Sequence, residues 1–185
     1  MHDQHKLTDP ITLHRGRHLA LVAQQHWEYA VRTVASAAVG IAAVTPDRRL
    51  LLVEQFRIPA GCKTIEIPAG LVGDSPELAG EELLVAAQRE LLEETGYESD
   101  RWTPLGEGLS SPGLTDESVT LYLAEDIRKT GTGGGDESES IVVHEVPLEE
   151  VDAWIESRRQ QGGRFDFKVW AALHLLSVHR GTYGG

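Results

Sequence analysis

Cysteine is all but missing from this chain: Cys62 is the only one in 185 residues. No intramolecular disulfide framework is therefore possible, and nothing points to an oxidising compartment. Long apolar runs are missing as well. The longest, residues 34–44, is interrupted by Ser36 and Gly40, far short of the ~18 unbroken residues that suggest a membrane span. Residues 1–10 are polar, with no apolar stretch of the kind a secretory leader needs. Positive charge is scarce, with 17 Lys and Arg against 29 Asp and Glu and a formal net charge of −12. That balance argues against a nucleic-acid surface, where phosphates call for clustered Lys and Arg. No Gly-x-x-x-x-Gly-Lys phosphate loop, Gly-x-Gly-x-x-Gly fingerprint or His-Glu-x-x-His pair occurs. The eight histidines are scattered, five of them (His2, His5, His14, His18 and His26) near the N-terminus. The expectation is a cytoplasmic protein that engages neither nucleic acid nor membrane.

What is present is the composition of one soluble domain with a small appendage, 41% hydrophobic and 25% charged. A short strand is expected at 11–14 and strand-forming sequence over 19–34. Strands at 37–44 and 49–56 flank Thr45-Pro46-Asp47-Arg48, a turn sequence that predicts a hairpin. A further short strand at 64–67 lies among loops. Apolar residues at Leu83, Leu84, Ala87, Leu91 and Leu92 then predict a helix within 76–95, stopped by Gly96. Strands at 102–111, 119–124 and 141–146 follow, and helices at 148–161 and 167–178 close the chain. In the last helix Trp170, Leu173, Leu175 and Leu176 form the expected core stripe. The one low-complexity stretch, 130–140 (TGTGGGDESES), reads as flexible because of its glycines.

The chemistry is concentrated in 81–97, EELLVAAQRELLEETGY. Glu90, Glu93 and Glu94 lie three and four apart, hence on neighbouring positions of one helix face, where like charges repel. Arg89 alone cannot neutralise them together with Glu81. A solvated acidic face is the ordinary meaning of such a run. Here interleaved apolar residues bury the other side, and a hard divalent cation such as Mg²⁺ is the natural counter-ion for clustered carboxylates.

This stretch resembles the Nudix signature: Gly, five residues, Glu, seven residues, then Arg-Glu-aliphatic-x-Glu-Glu-x-Gly-aliphatic. Glu81, residues 82–88 and Arg89-Glu90-Leu91-Leu92-Glu93-Glu94-Thr95-Gly96 fit it position by position, with Tyr97 in the last apolar place. One departure stands out: Ser75 occupies the position of the leading Gly. Gly70 is the stand-in, leaving a loop about five residues longer before Glu81. The resemblance implies that Glu90 and Glu94 are the main metal ligands with Glu93 beside them. It also implies that Arg89 orients these acids and that Glu81 is a supporting ligand or the partner of Arg89. Mg²⁺, with Mn²⁺ as the alternative, would bridge a diphosphate and activate a water for attack on phosphorus.

Three further features resemble the ADP-ribose pyrophosphatase branch of that family. Glu66-Ile67-Pro68-Ala69-Gly70 precedes the signature and Glu54-Gln55-Phe56-Arg57 lies upstream. The resemblance implies a metal contact from the Ala69 carbonyl, with Glu66 at the site and Arg57 near the diphosphate. Ser111-Pro112-Gly113 begins a run whose proline falls fifteen residues after Tyr97, which implicates Pro112 and Gly113 in substrate binding. Asp136-Glu137-Ser138-Glu139 resembles the family's catalytic loop, with Glu137 as general base and Glu139 as a metal ligand. Trp27-Glu28 resembles the place where dimeric members stack the adenine.

The resemblance covers about residues 20–178 and implies an α/β (α+β) Nudix fold: a mixed β-sheet sandwiched between α-helices, preceded by antiparallel strands used in dimerisation. The expected division is 1–35 for dimerisation and base recognition and 36–180 for the hydrolase domain. The implied partner is a small nucleoside diphosphate sugar, ADP-ribose foremost, cleaved to AMP and ribose 5-phosphate by a homodimer. A broader or UDP/GDP-sugar preference is the alternative. A silent nucleotide-sugar sensor is a second, disfavoured by the intact carboxylates.

Overall fold

The computed structural model describes residues 7–35, 37–135 and 140–181. Its first three strands, β1 (Ile11–Arg15), β2 (Leu19–Gln24) and β3 (Trp27–Arg32), form an antiparallel sheet of their own. Then come β4 (Ala37–Ala43), β5 (Arg49–Arg57), β6 (Cys62–Glu66), β7 (Ala69–Val72) and helix α1 (Leu83–Thr95). Strands β8 (Tyr97–Glu98), β9 (Arg101–Leu109), β10 (Ser118–Glu125), β11 (Arg128–Lys129) and β12 (Val142–Pro147) follow. Helix α2 (Val151–Gln160), strand β13 (Arg164–Phe165) and helix α3 (Phe167–His179) end the fold.

Strands β4 and β5 do not form the expected hairpin. They share only the bridge Val44–Leu50 and then separate into two sheets, β7-β4-β10-β9 and β12-β5-β6-β13. The reason is visible in their composition: both are apolar on both faces, so each becomes a central strand flanked on two sides. Both sheets are mixed, since β4 runs parallel to β10 and β6 parallel to β13 while the other pairs are antiparallel.

Alternation along β4 divides the core. Val39, Ile41 and Ala43 join one cluster with Ala86, Ala87 and Leu91 of α1. Ala42 and Val44 join the other, with Leu50 and Leu52 of β5, Val151 and Ile155 of α2, and Val169, Ala172 and Leu176 of α3. The sheets therefore lie between α1 on one side and α2 and α3 on the other, the α+β sandwich that the resemblance implies.

The first helix begins later than its periodicity suggests. Pro76–Leu78 is a single 3₁₀ turn, Gly80 takes a positive φ of 82°, and the α-helix opens at Leu83. Its inward face is small, built on Ala86 and Ala87, while Leu83, Leu84 and Leu92 stay exposed. In α3 the inward face is Val169, Ala172 and Leu176. Trp170 lies outside it, 40% exposed, with its ring against Phe165 and Phe167.

Residues 130–135 depart from the flexible reading of their glycines. Thr130 and Gly131 donate their amides to the Gly96 carbonyl at 2.9 Å each, Gly134 to Glu94 at 2.8 Å and Gly135 to Glu93 at 3.1 Å. The glycines permit close backbone contact: a Cβ on Gly133 would stand 2.3 Å from the Thr95 carbonyl carbon. This segment thus satisfies the last carbonyls of α1, which a helix end otherwise leaves without partners.

Candidate active site

Helix α1 carries the acidic cluster because Gly96, at φ 75°, ends it one residue after Thr95 and donates its amide to Leu92. Arg89 is the hub. Its guanidinium donates to both carboxylate oxygens of Glu81 (2.9 and 3.0 Å), to Glu90 at 2.8 Å, to Glu93 at 3.0 Å and to the Leu71 carbonyl at 3.1 Å. Glu81 lies just before the helix, with both oxygens on Arg89. That pairing holds its carboxyl below the usual range and raises the guanidinium pKa.

Strand β7 closes against this helix. The Ala69 amide donates to a Glu94 oxygen at 3.0 Å, and Glu94 is 4% exposed. Gly70 approaches still nearer: a Cβ there would stand 1.8 Å from the Glu90 carboxyl carbon. The missing side chain is the space in which the Glu90 carboxylate sits. Burial pushes the Glu90 carboxyl up, with Glu93 and Asp74 adding like-charge repulsion against the pull of Arg89.

These groups line one wall of a cavity of about 780 Å³. The other walls carry three ion pairs. Arg57 grips Glu66 through two hydrogen bonds of 2.7 and 2.8 Å, Arg32 donates to Glu117 at 2.6 Å, and Lys168 donates to Asp166 at 2.7 Å. Asp74 belongs to the same lining, which has seven carboxylates against four cations. A carboxylate excess of this kind, with Glu66 and Glu94 buried and the Glu90 carboxyl pushed up by desolvation, suits hard divalent cations with oxygen ligands. As placed, the acids are engaged by Arg89 and the Ala69 amide. Among the described residues no group of three His, Cys, Asp or Glu side chains is gathered at metal-binding distances.

The sequence reading missed Arg32, Glu117, Asp74, Asp166 and Lys168. Arg32 and Glu117 are 85 positions apart, and nothing local in either segment signals the pairing. For Lys168 the available clue was its position two residues after an Asp N-cap.

The remaining expected residues fall elsewhere. Trp27 and Pro112 come together, but in a second, more apolar cavity of about 750 Å³ with Leu7, Tyr29 and Leu109. Trp27 is 51% exposed, and Glu28 and Gly113 are exposed. Ser111 accepts the amides of Leu114 and Thr115 at 2.8 and 3.0 Å, so Pro112 and Gly113 form the tip of a tight turn. Glu137 and Glu139 lie outside the described residues.

A helix with this carboxylate and arginine pattern, facing a Pro-Ala-Gly strand across an acidic cleft, agrees with a direct family match: the NUDIX domain model covers residues 35–166. The chain belongs to the Nudix family. It is 39% identical over 144 residues to the ADP-ribose pyrophosphatase of Bacillus subtilis (strain 168), covering 76% of this chain and 72% of that protein. It is 37% identical over 142 residues to a methanol dehydrogenase activator of Bacillus methanolicus, again 76% and 72% of the two chains. A crystal structure of an ADP compounds hydrolase superposes with a TM-score of 0.72 over 96% of this chain and 95% of that one, at 22% identity. Nudix hydrolases work with divalent metal ions, in keeping with the oxygen-rich cleft. No helix among the described residues is long and apolar enough to cross a membrane.

The departures from the Nudix signature acquire physical reasons. Ser75, where the pattern has Gly, sits at φ −130° and ψ 161°, extended backbone that any residue adopts. The glycine that the cleft needs is Gly70, beside Glu90. Tyr97, in the last apolar position, is buried and donates its hydroxyl to Glu145 at 2.6 Å.

Proposed function

We propose that this Nudix hydrolase cleaves the diphosphate of a nucleoside diphosphate sugar, ADP-ribose foremost, releasing AMP and ribose 5-phosphate. The observation that carries the reading is the meeting of Glu90 and Glu94 with Ala69-Gly70 in a cleft whose other walls present Arg57, Arg32 and Lys168. Identity to a pyrophosphatase acting on ADP-ribose supports the substrate class.

Glu90, Glu94 and the Ala69 carbonyl would hold Mg²⁺, with Mn²⁺ as substitute and Glu93, Glu81 and Glu139 as further oxygen donors. When bound, the ion neutralises diphosphate oxygens and lowers the pKa of a water. The chain's own residues do the rest. Arg89 holds Glu81, Glu90 and Glu93 in register, and Arg57, fixed by Glu66, presents its guanidinium to the diphosphate. Glu137 takes the proton of the attacking water. The water oxygen bonds to phosphorus as the bridging oxygen departs with the other phosphate. Trp27 supplies an aromatic face for the base, with Glu28 beside it and the Pro112-Gly113 turn behind.

Residues 1–35 would serve dimerisation and base recognition and 36–180 catalysis, in a cytoplasmic homodimer. The outward face of the N-terminal sheet supports this, since Ile11, Leu19 and Leu21 are 68%, 49% and 41% exposed. An apolar sheet face of that kind calls for a partner surface.

A panel of ADP-ribose, UDP-glucose and GDP-mannose, assayed with Mg²⁺ for release of nucleoside monophosphate, tests the function. ADP-ribose is expected to be turned over fastest. Equal rates on ADP-ribose and UDP-glucose would defeat the preference, and no turnover of any would defeat the hydrolase reading. Glu137→Gln is expected to lower kcat by about a hundredfold or more, and an unchanged kcat would remove Glu137 as base.

A further inference from the structure

Of the cations lining the cleft, the arginines are heavily committed. Arg57 is doubly bonded to Glu66, Arg89 is spread over Glu81, Glu90, Glu93 and the Leu71 carbonyl, and Arg32 is held by Glu117. Lys168 differs. Its ammonium makes one ion pair, to Asp166 at 2.7 Å, and the other Asp166 oxygen accepts the Lys168 backbone amide at 2.7 Å. An ammonium has three donors on a flexible stem, and among the described residues this one uses a single donor, on Asp166. Lys168 is also the second residue of α3, where the positive end of the helix dipole makes a cation unfavourable. Asp166 and the carboxylate excess of the cavity offset that cost and keep the ammonium, 28% exposed, at the cavity wall.

The neighbourhood places it. Strand β13 runs parallel to β6, and the Asp166 amide donates to the Ile65 carbonyl at 3.0 Å. The Asp166–Lys168 pair therefore stands beside Glu66 and its partner Arg57, on a cavity wall not built by α1. The candidate ligands for cations stand on α1, and an ammonium held by Asp166 comes from α3. A diphosphate bound between them would carry oxygens toward both.

We propose that Lys168 is a substrate-binding residue that donates to a diphosphate oxygen of the nucleotide sugar, with Asp166 as the positioning residue that holds its ammonium ready before substrate arrives. This rests on the hydrolase reading above. It adds a specificity contact for the anion from a segment that the signature does not include. Because the contact is to the bound ground state as well as to the transition state, its loss falls on KM more than on kcat.

The test is Lys168→Met and Lys168→Arg, assayed on ADP-ribose with Mg²⁺, with calorimetric binding of α,β-methylene ADP-ribose measured in parallel. Lys168→Met is expected to raise KM and Kd by about tenfold while kcat stays within about threefold. Lys168→Arg is expected to restore most of the affinity. Lys168→Met loses its ion pair with Asp166 as well, so the KM-against-kcat split and the rescue by Lys168→Arg, not the melting temperature, separate a binding role from a structural one. A KM and Kd within about twofold of wild type in Lys168→Met would overturn the proposal while leaving the hydrolase reading intact. If the wild-type protein turned over no substrate but Lys168→Met still lost affinity for the analogue, the hydrolase reading would fall and Lys168 would stand.

Discussion

At the scale of single residues, the cleft depends on one absent side chain. A methyl group on Gly70 would coincide with the Glu90 carboxylate, which is the far end of a flexible side chain. Gly70 carries no positive φ, so alanine fits its backbone. Gly70→Ala is therefore expected to leave stability within about 1 kcal/mol of wild type, because Glu90 can swing away. Activity should nevertheless fall about a hundredfold or more, since several kcal/mol of metal-assisted catalysis depend on where that carboxylate sits. Thermal melting and kcat measured on the same preparation check it. A melting temperature that drops in step with activity would mean that Gly70 matters to the fold and not to Glu90. Glu90→Gln is expected to match the activity loss without moving the backbone.

Among the elements, the end of α1 and the start of β8 form a junction that links the acidic helix to the rest of the fold. Thr95 is fully buried, Gly96 makes the turn, and Tyr97 enters the core with its hydroxyl on Glu145. Burial, then the Glu145 hydrogen bond and charge, pushes the Tyr97 phenol up from 10.0 to about 12. The folded state thus binds this proton more tightly than the unfolded chain does. The associated stability is fully present below about pH 10 and is lost as pH rises toward about 12. Tyr97→Phe should flatten the alkaline decline of denaturant midpoints in that window, while lowering stability at neutral pH by leaving Glu145 without its donor. An alkaline slope identical to wild type would show that Tyr97 ionises as an ordinary surface phenol. Glycines 131 and 133 belong to the same junction, because their backbone packs against Gly96 and Thr95. Composition suggested a loose linker; hydrogen bonding to the helix end makes this stretch a cap.

For the whole molecule, the net charge of −12 has two components. One is exposed surface acids such as Glu107, Glu149 and Glu150. The other is gathered in the cleft, where seven carboxylates face four cations. Relieving that excess should stabilise the fold by mass action. Millimolar Mg²⁺ is expected to raise the melting temperature, EDTA to reverse it, and Glu90→Gln to remove most of the response. A rise that persists in Glu90→Gln would assign the effect to general surface screening. The apolar outer face of the N-terminal sheet makes a second prediction at this scale. Sedimentation is expected to show a dimer in solution, and a Leu19→Glu, Leu21→Glu double variant a monomer with reduced activity, because Trp27 stands on the same sheet. A wild-type monomer at micromolar concentration would contradict it.

The helix, its acids and its glycine stop were legible in the sequence because each depends on neighbours within one or two turns. Spacing of three and four positions sets which of Glu90, Glu93 and Glu94 share a face, and a left-handed residue after Thr95 needs a glycine. The strands were legible for the same reason, apart from β7 and the two-residue pairs, which are too short to carry a period. What the tertiary structure alone decided is everything set by contact between distant segments. It parted β4 from β5, brought Gly70 against Glu90 and paired Arg32 with Glu117 across 85 positions. It also put Trp27 in a cavity apart from the acidic one and turned Lys168 into that acidic cleft. Local spacing determines which groups are available on an element. Only packing, which trades apolar burial against the placement of charge, determines which of them meet.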